Sequence, residues 1–162
     1  MDKKLIIIRH AKSDWNTGLL DYDRPLNSRG KRDAPNVGLY LKGMGISPDL
    51  VISSSAERAI NTAVLICHSL EFPMNSLKAY KELYHAVPKT YLKFISELSE
   101  DNKTVILVGH NPGISDFVSY LIDDDCELKT CCVAIMDVKV ALWEELFQGT
   151  CILNQYISPK EL

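Results

Sequence analysis

The chain has 162 residues, 46% of them hydrophobic and 24% charged, with a formal net charge of −3. That is the length of one ordinary domain with a buried core, and the balance excludes disorder, low complexity and collagen-like sequence. The slight acidic excess argues against a nucleic-acid binder, and no apolar run approaches the ~20 residues that span a bilayer.

Residues 5–8, Leu-Ile-Ile-Ile, form an uninterrupted β-rich run that fits a strand buried on both faces. The few apolar residues before Arg9 do not make a secretory signal, so a cytoplasmic location is expected. A helix is expected within 28–44, with Ala34, Val37, Leu41 and Met44 inward; Pro35 either kinks it or delays its start. Residues 50–52 read as a second buried strand. Residues 55–70 place Ala56, Ala59, Ile60, Ala63, Val64, Cys67 and Leu70 on one helical face, with Ser54 or Ser55 as N-cap. A weaker strand at 77–80 and a helix over 88–100, opened by Pro88, come next. Residues 104–108 repeat the buried-strand pattern. Asn111 and Pro112 read as N-cap and N1 of a helix through Leu121. Asp123, Asp124 and Asp125 read as a solvated turn rather than a metal site. Strands at 132–138 and 151–156 are close enough in sequence to pair as an edge hairpin. The five cysteines are odd in number and lack a C-x-x-C, so buried free thiols are expected. Strands alternating with helices predict one α/β domain over 1–162, with helices on both faces of a mostly parallel sheet.

Ligands of such sheets bind beyond the carboxyl ends of the strands. Arg9 and His10 follow the first strand, Arg58 sits in the helix turn after the second, and His110 follows the strand at 104–108. Glu82 and His85 follow the weak strand. Only five of the eighteen Lys and Arg residues are arginines, so two on one rim are informative. Guanidinium and imidazole groups beside helix N-termini suit a tetrahedral dianion, phosphate above all. The sequence holds neither a G-x-x-x-x-G-K-[ST] nor a G-x-G-x-x-G loop, and no carboxylate cluster for Mg²⁺ on this rim. The expectation is a site without metal or cofactor. In it a neutral imidazole attacks phosphorus, arginines neutralise the equatorial oxygens, and Glu82 or His85 supplies a proton.

Arg9-His10-Ala11 resembles the R-H-G signature of the histidine phosphatase superfamily, also called phosphoglycerate-mutase-like, with alanine in place of glycine. The run from Arg9 to Asn16 is similar to that family's R-H-G-x-S-x-W-N. Ser54, Arg58, Ala59, Thr62 and Ala63 resemble its S-x-x-x-R-A-x-x-T-A block, and Gly109-His110-Asn111-Pro112-Gly113 its third block. Asp21-Tyr22-Asp23-Arg24-Pro25-Leu26 with Gly30 and Arg32-Asp33-Ala34-Pro35 resembles the small SixA-type phosphohistidine phosphatases. The resemblance implies a three-layer α/β/α sandwich of the phosphoglycerate-mutase-like type. It implies His10 as nucleophile, Arg9, Arg58 and His110 holding the phosphoryl group, and Asn16 contacting phosphate. Glu82 matches the family's proton donor, with His85 as its rival. Arg24 either lines the entrance or forms a structural salt bridge behind Pro25.

The reading is a cofactor-independent phosphatase with a phosphohistidine enzyme intermediate, acting on phosphohistidine in a protein. Its partner is a phosphorylated protein or a small phosphorylated molecule, not nucleic acid or membrane. The alternatives are a phosphatase of small phosphate esters and a non-catalytic phosphate- or phosphoprotein-binding module.

Overall fold

The computed structural model describes residues 2–162. Among these, six strands form one sheet: β1 (Lys4–Arg9), β2 (Leu50–Ser54), β3 (Leu77–Tyr80), β4 (Thr104–Gly109), β5 (Val133–Val138) and β6 (Cys151–Ile157). Their spatial order is β3-β2-β4-β1-β5-β6. β3, β2, β4 and β1 run parallel, whereas β5 pairs antiparallel with both β1 and β6. The long helices are α1 (Ser28–Gly43), α2 (Glu57–Leu70), α3 (Pro88–Ser96) and α4 (Gly113–Ile122).

Alternation along β1 sorts the layers. Ile6 and Ile8 join Val51, Ile106 and Val108 under α1 and α2, whose Val37, Leu41, Ala63 and Ile66 are fully buried. Leu5 and Ile7 face the other way, with Val105 and Leu107, onto Tyr91 and Ile95 of α3 and Phe117 and Leu121 of α4. A strand covered on both faces has no polar positions to spare, which is why its sequence shows no alternation. The predicted α/β/α sandwich with a mostly parallel sheet and an edge hairpin is the observed one. No helix among the described residues is long and apolar enough to cross a membrane.

The first long helix begins where the sequence reading placed it, and the other helix ends differ because a side chain is engaged elsewhere. α1 runs through Pro35 unbroken from Ser28, capped by Asn27, whose side chain accepts from Gly30 N–H at 2.9 Å. Gly38 lets α1 lie against α2, where a Cβ would sit 2.6 Å from that of Ser69. α2 begins at Glu57 with Ala56 as N-cap, not Ser54 or Ser55. The Ser54 hydroxyl accepts from Ala56 N–H at 3.2 Å and faces His110 instead. α3 ends at Ser96, four residues early, and Glu100 is bound to Lys3 at 2.8 Å and to the Trp143 N–H at 2.9 Å. α4 starts at Gly113 with Pro112 as N-cap. Asn111 does not cap it, since its amide donates to the Leu128 carbonyl at 2.8 Å and accepts from the Ser115 hydroxyl at 2.6 Å. Gly113 has a packing reason: a Cβ there would meet the Ala86 carbonyl oxygen at 1.9 Å. α4 thereby presses onto the segment that carries His85.

Candidate active site

A cavity of about 320 Å³ lies at the carboxyl ends of the central strands. β1 delivers Arg9 and His10 to it, α2 delivers Arg58, and β4 delivers His110; Arg24 and His85 complete the cationic lining. His10, Arg24, Arg58 and His110 are all buried. The two imidazole rings stand 5.2 Å apart between centroids.

His10 Nδ1 is 2.7 Å from the Ala11 carbonyl oxygen. A carbonyl only accepts, so Nδ1 carries the proton and Nε2 keeps its lone pair. Burial, with the charges of Arg58, Arg9 and Arg24 behind it, pushes the His10 pKa down to about 3. Neutral imidazole is therefore the resting form. The following residue is pinned as well: Ala11 N–H donates to Thr62 Oγ1 at 2.9 Å, and that hydroxyl donates to the Arg58 carbonyl at 2.7 Å.

His110 Nε2 lies 2.8 Å from Ser54 Oγ, while its backbone N–H donates to the Tyr91 hydroxyl at 3.2 Å. Burial, then the neighbouring His10 and Arg58, lower its pKa to about 3 as well. Burial also lowers the pKa of Arg9, whose Nη1 reaches the Leu128 carbonyl only at 3.4 Å. Three buried nitrogens of the cavity residues have no protein partner among the described residues: Arg9 Nε, Arg58 Nε and His110 Nδ1. Buried polar groups are paired in native proteins, and unpaired ones clustered at one cavity mark a place for a ligand's acceptors.

Asp21 organises the arginines and was not singled out by sequence reasoning. Its carboxylate accepts from Arg58 Nη2 at 3.0 Å and from Arg24 Nε and Nη2 at 3.1 and 3.0 Å, and its carbonyl accepts from Arg58 Nη1 at 2.7 Å. The Tyr84 hydroxyl also donates to it. The Tyr84 bond first, then Arg24 and Arg58, hold its carboxyl well below the usual carboxylate range. The only signal available was its position in the run Asp21–Arg24, three residues before an arginine. Arg24 lines the cavity and also forms a salt bridge with Asp21, with the Trp15 ring stacked 3.5 Å from its guanidinium carbon.

Two expected site residues are not brought in. Glu82 is exposed on the turn Lys81–Leu83; Leu83 is buried in the core, and Glu82 lines a separate groove with Tyr80, Leu92 and Phe94. Asn16 is exposed, turned outward where its N–H bonds Asp14 Oδ1 at 2.9 Å. His85, the rival for the proton, does line the cavity, from a left-handed backbone at φ 57.

The buried neutral histidines make stability pH-dependent. Their folded pKa values lie below the ordinary 6.5, so the unfolded chain binds more protons as pH falls. Their contribution is complete above pH 6.5 and is lost progressively toward pH 3. Between pH 7 and 5 the expected loss is about 2 kcal/mol per histidine. Urea unfolding should show this slope, and His10→Asn should flatten it by about half; a pH-independent midpoint would contradict the buried-neutral assignment.

The description "Histidine phosphatase superfamily (branch 1)" fits a family model that matches residues 5–91. A chloroplastic Arabidopsis thaliana protein, itself uncharacterised, is 31% identical over 163 aligned positions, covering 91% of this chain and 72% of that protein. Among solved structures, the protein histidine phosphatase SixA complexed with tungstate superposes with TM-score 0.85 at 22% identity, covering 98% of each chain; this is a likeness of fold. A protein described as a phosphohistidine phosphatase SixA from Agrobacterium tumefaciens superposes with TM-score 0.84 at 25% identity, covering 98% of this chain and 99% of that one. The motif residues gathered in the cavity agree with the family match over more than half the chain, and the chain belongs to the histidine phosphatase superfamily, branch 1, as a phosphatase hydrolase.

Proposed function

We propose that the chain hydrolyses phosphohistidine on a protein through a phosphorylated His10, without metal or cofactor. The observation that carries the reading is an imidazole with its Nδ1 proton committed to a carbonyl, among three buried nitrogens that lack partners. The lone pair of His10 Nε2 attacks phosphorus. A P–N bond to His10 forms as the substrate's P–N bond breaks, and the leaving imidazole takes its proton from solvent water. Arg9 Nε, Arg58 Nε and His110 Nδ1–H receive the phosphoryl oxygens. Ser54 Oγ, which accepts from Ala56 N–H, lies 2.8 Å from His110 Nε2; with the hydroxyl proton given to Nε2, Nδ1 is the protonated nitrogen and is the one that meets the phosphoryl oxygen. Water then attacks phospho-His10, the P–Nε2 bond breaks, and neutral imidazole returns with inorganic phosphate.

The choice of substrate rests on the acid. Among the described residues, Asp21 is the one carboxylate lining the cavity, and its three donors keep it ionised and occupied. It has no proton to give, which leaves the exposed His85 imidazole as the one candidate acid among the cavity residues. An alkoxide needs one to leave, whereas the labile P–N bond of phosphohistidine needs less help. The SixA-type structures of the same fold support the same substrate class.

The test is a kinetic comparison of a phosphohistidine protein with simple alkyl phosphates. The phosphohistidine substrate should exceed the alkyl esters by about 10²-fold or more in kcat/KM, the size of a missing general acid. Glu82→Gln should leave both rates within about twofold. A preference for alkyl esters would overturn the reading in favour of a small-ester phosphatase.

A further inference from the structure

A second cavity, about 300 Å³, adjoins the first. Arg9, Lys12 and Thr130 line both, so the two share a wall. The remaining cations of the second are Arg29, Lys129 and Lys160, and among the described residues no Asp or Glu lines it. Arg29 leans on Asp33 at 3.4 Å. Lys12, Lys129 and Lys160 form no ion pair with any described residue. Five cations around one recess, in a chain whose net charge is −3, repel one another unless an anion enters.

The two cavities differ in their cations. The first uses the arginines 9, 24 and 58, whose planar forks fit a phosphoryl group. The second relies on lysines, point charges on flexible stems, with the hydroxyls of Thr130 and Ser158 beside them. That set suits carboxylates whose positions vary. The loop after β1 adds an apolar element: Trp15, which lines the first cavity, is 70% exposed, and Leu19 and Leu20 are 54% and 77% exposed. A small bis-anion has no use for such a loop, whereas a polypeptide surface engages both apolar and charged contacts.

We propose that the second cavity is a subsite for acidic side chains of the substrate. The substrate is a polypeptide with Asp or Glu close to its phosphorylated residue, whose carboxylate sits among Lys12, Lys129 and Lys160 while the phosphoryl group meets His10. The proposal rests on the phosphoprotein reading above and adds the sequence context that the enzyme selects.

The full chain, hydrolysing an aryl phosphate as reporter, is inhibited with two phosphonate-bearing peptides that differ only in two flanking residues, Glu or Gln. At low salt the Glu peptide should inhibit about tenfold more tightly, and the advantage should shrink as salt is raised. In Lys129→Glu/Lys160→Glu the advantage should vanish, while kcat/KM for the aryl phosphate stays within about twofold. Both lysines are exposed, and an unfolding curve matching the wild type verifies the fold. Equal inhibition of the wild type by the two peptides, or a preference that survives charge reversal, overturns the subsite. A compact bis-phosphonate that gains as much over its mono-phosphonate as the Glu peptide gains over the Gln peptide overturns the polypeptide source. The reporter is an aryl ester, so poor turnover of phosphohistidine would count against the earlier reading and leave this result to be read separately.

Discussion

Replacing His10 with alanine is expected to abolish turnover, by about 10⁴–10⁶-fold, while the protein remains folded. The imidazole is the one buried ring in the cavity with a free nitrogen lone pair, because Nδ1 donates to Ala11 and burial keeps the ring unprotonated. No neighbour can take over. His110 is held at Nε2 by Ser54, His85 is exposed rather than fixed against the buried cations, and the arginines are permanently charged. The wild type, quenched in alkali during turnover of a labelled substrate, should carry one acid-labile phosphate on His10, and the alanine variant none. Phosphate retained by the variant, or activity above a few per cent, would remove His10 from the nucleophile's role. Removing the titrating group also relieves the acid sensitivity described above, so the dead variant should lose less stability than the wild type between pH 7 and pH 5.

Arg58→Ala is expected to lower the rate of phosphoenzyme formation by about 10³-fold, the scale at which a fixed donor to a developing oxyanion acts. The guanidinium is fixed before substrate arrives: two of its nitrogens are spent on Asp21, at 2.7 and 3.0 Å, and Nε is left over. A lysine has one ammonium and cannot hold Asp21 and a phosphoryl oxygen in the same geometry. Arg58→Lys should therefore recover less than about tenfold of the loss. Single-turnover measurement isolates the step, and a rate unchanged in either variant would place Arg58 outside the phosphoryl-binding set. Asp21 is the positioning residue here. Asp21→Asn should lower kcat more than it raises KM, because it loosens the clamp while leaving the arginines that meet the phosphoryl group in place.

The sheet was legible because β1, β2 and β4 are buried on both faces, so apolar character and strand coincide without alternation. Arg9, His10 and His110 were legible because the carboxyl ends of such strands are where a parallel sheet meets its ligand. Glu82 was misplaced for a reason of one residue. The turn at 81–83 commits Leu83 to the core, and its neighbour is then carried to the α3 side of the sheet. Ser54 was read as a helix cap from its type and position, yet its hydroxyl serves His110, and local propensity holds no record of a partner 56 positions away. Asp21 was invisible in the same way, since its partners Arg58 and Tyr84 lie 37 and 63 positions along the chain.

Thr62 has a consequence for how steady the site is. One hydroxyl oxygen takes the peptide N–H next to His10 and gives its proton to the carbonyl of Arg58. The attacking group and the clamp are thus referenced to a common atom rather than to separate parts of the sheet. When α2 rocks against the strands, both ends travel together, and the displacement becomes a shared translation instead of a change in their separation. The tolerance on the distance between nucleophile and clamp is set by two short hydrogen bonds, not by the accumulated play of a strand, a loop and a helix.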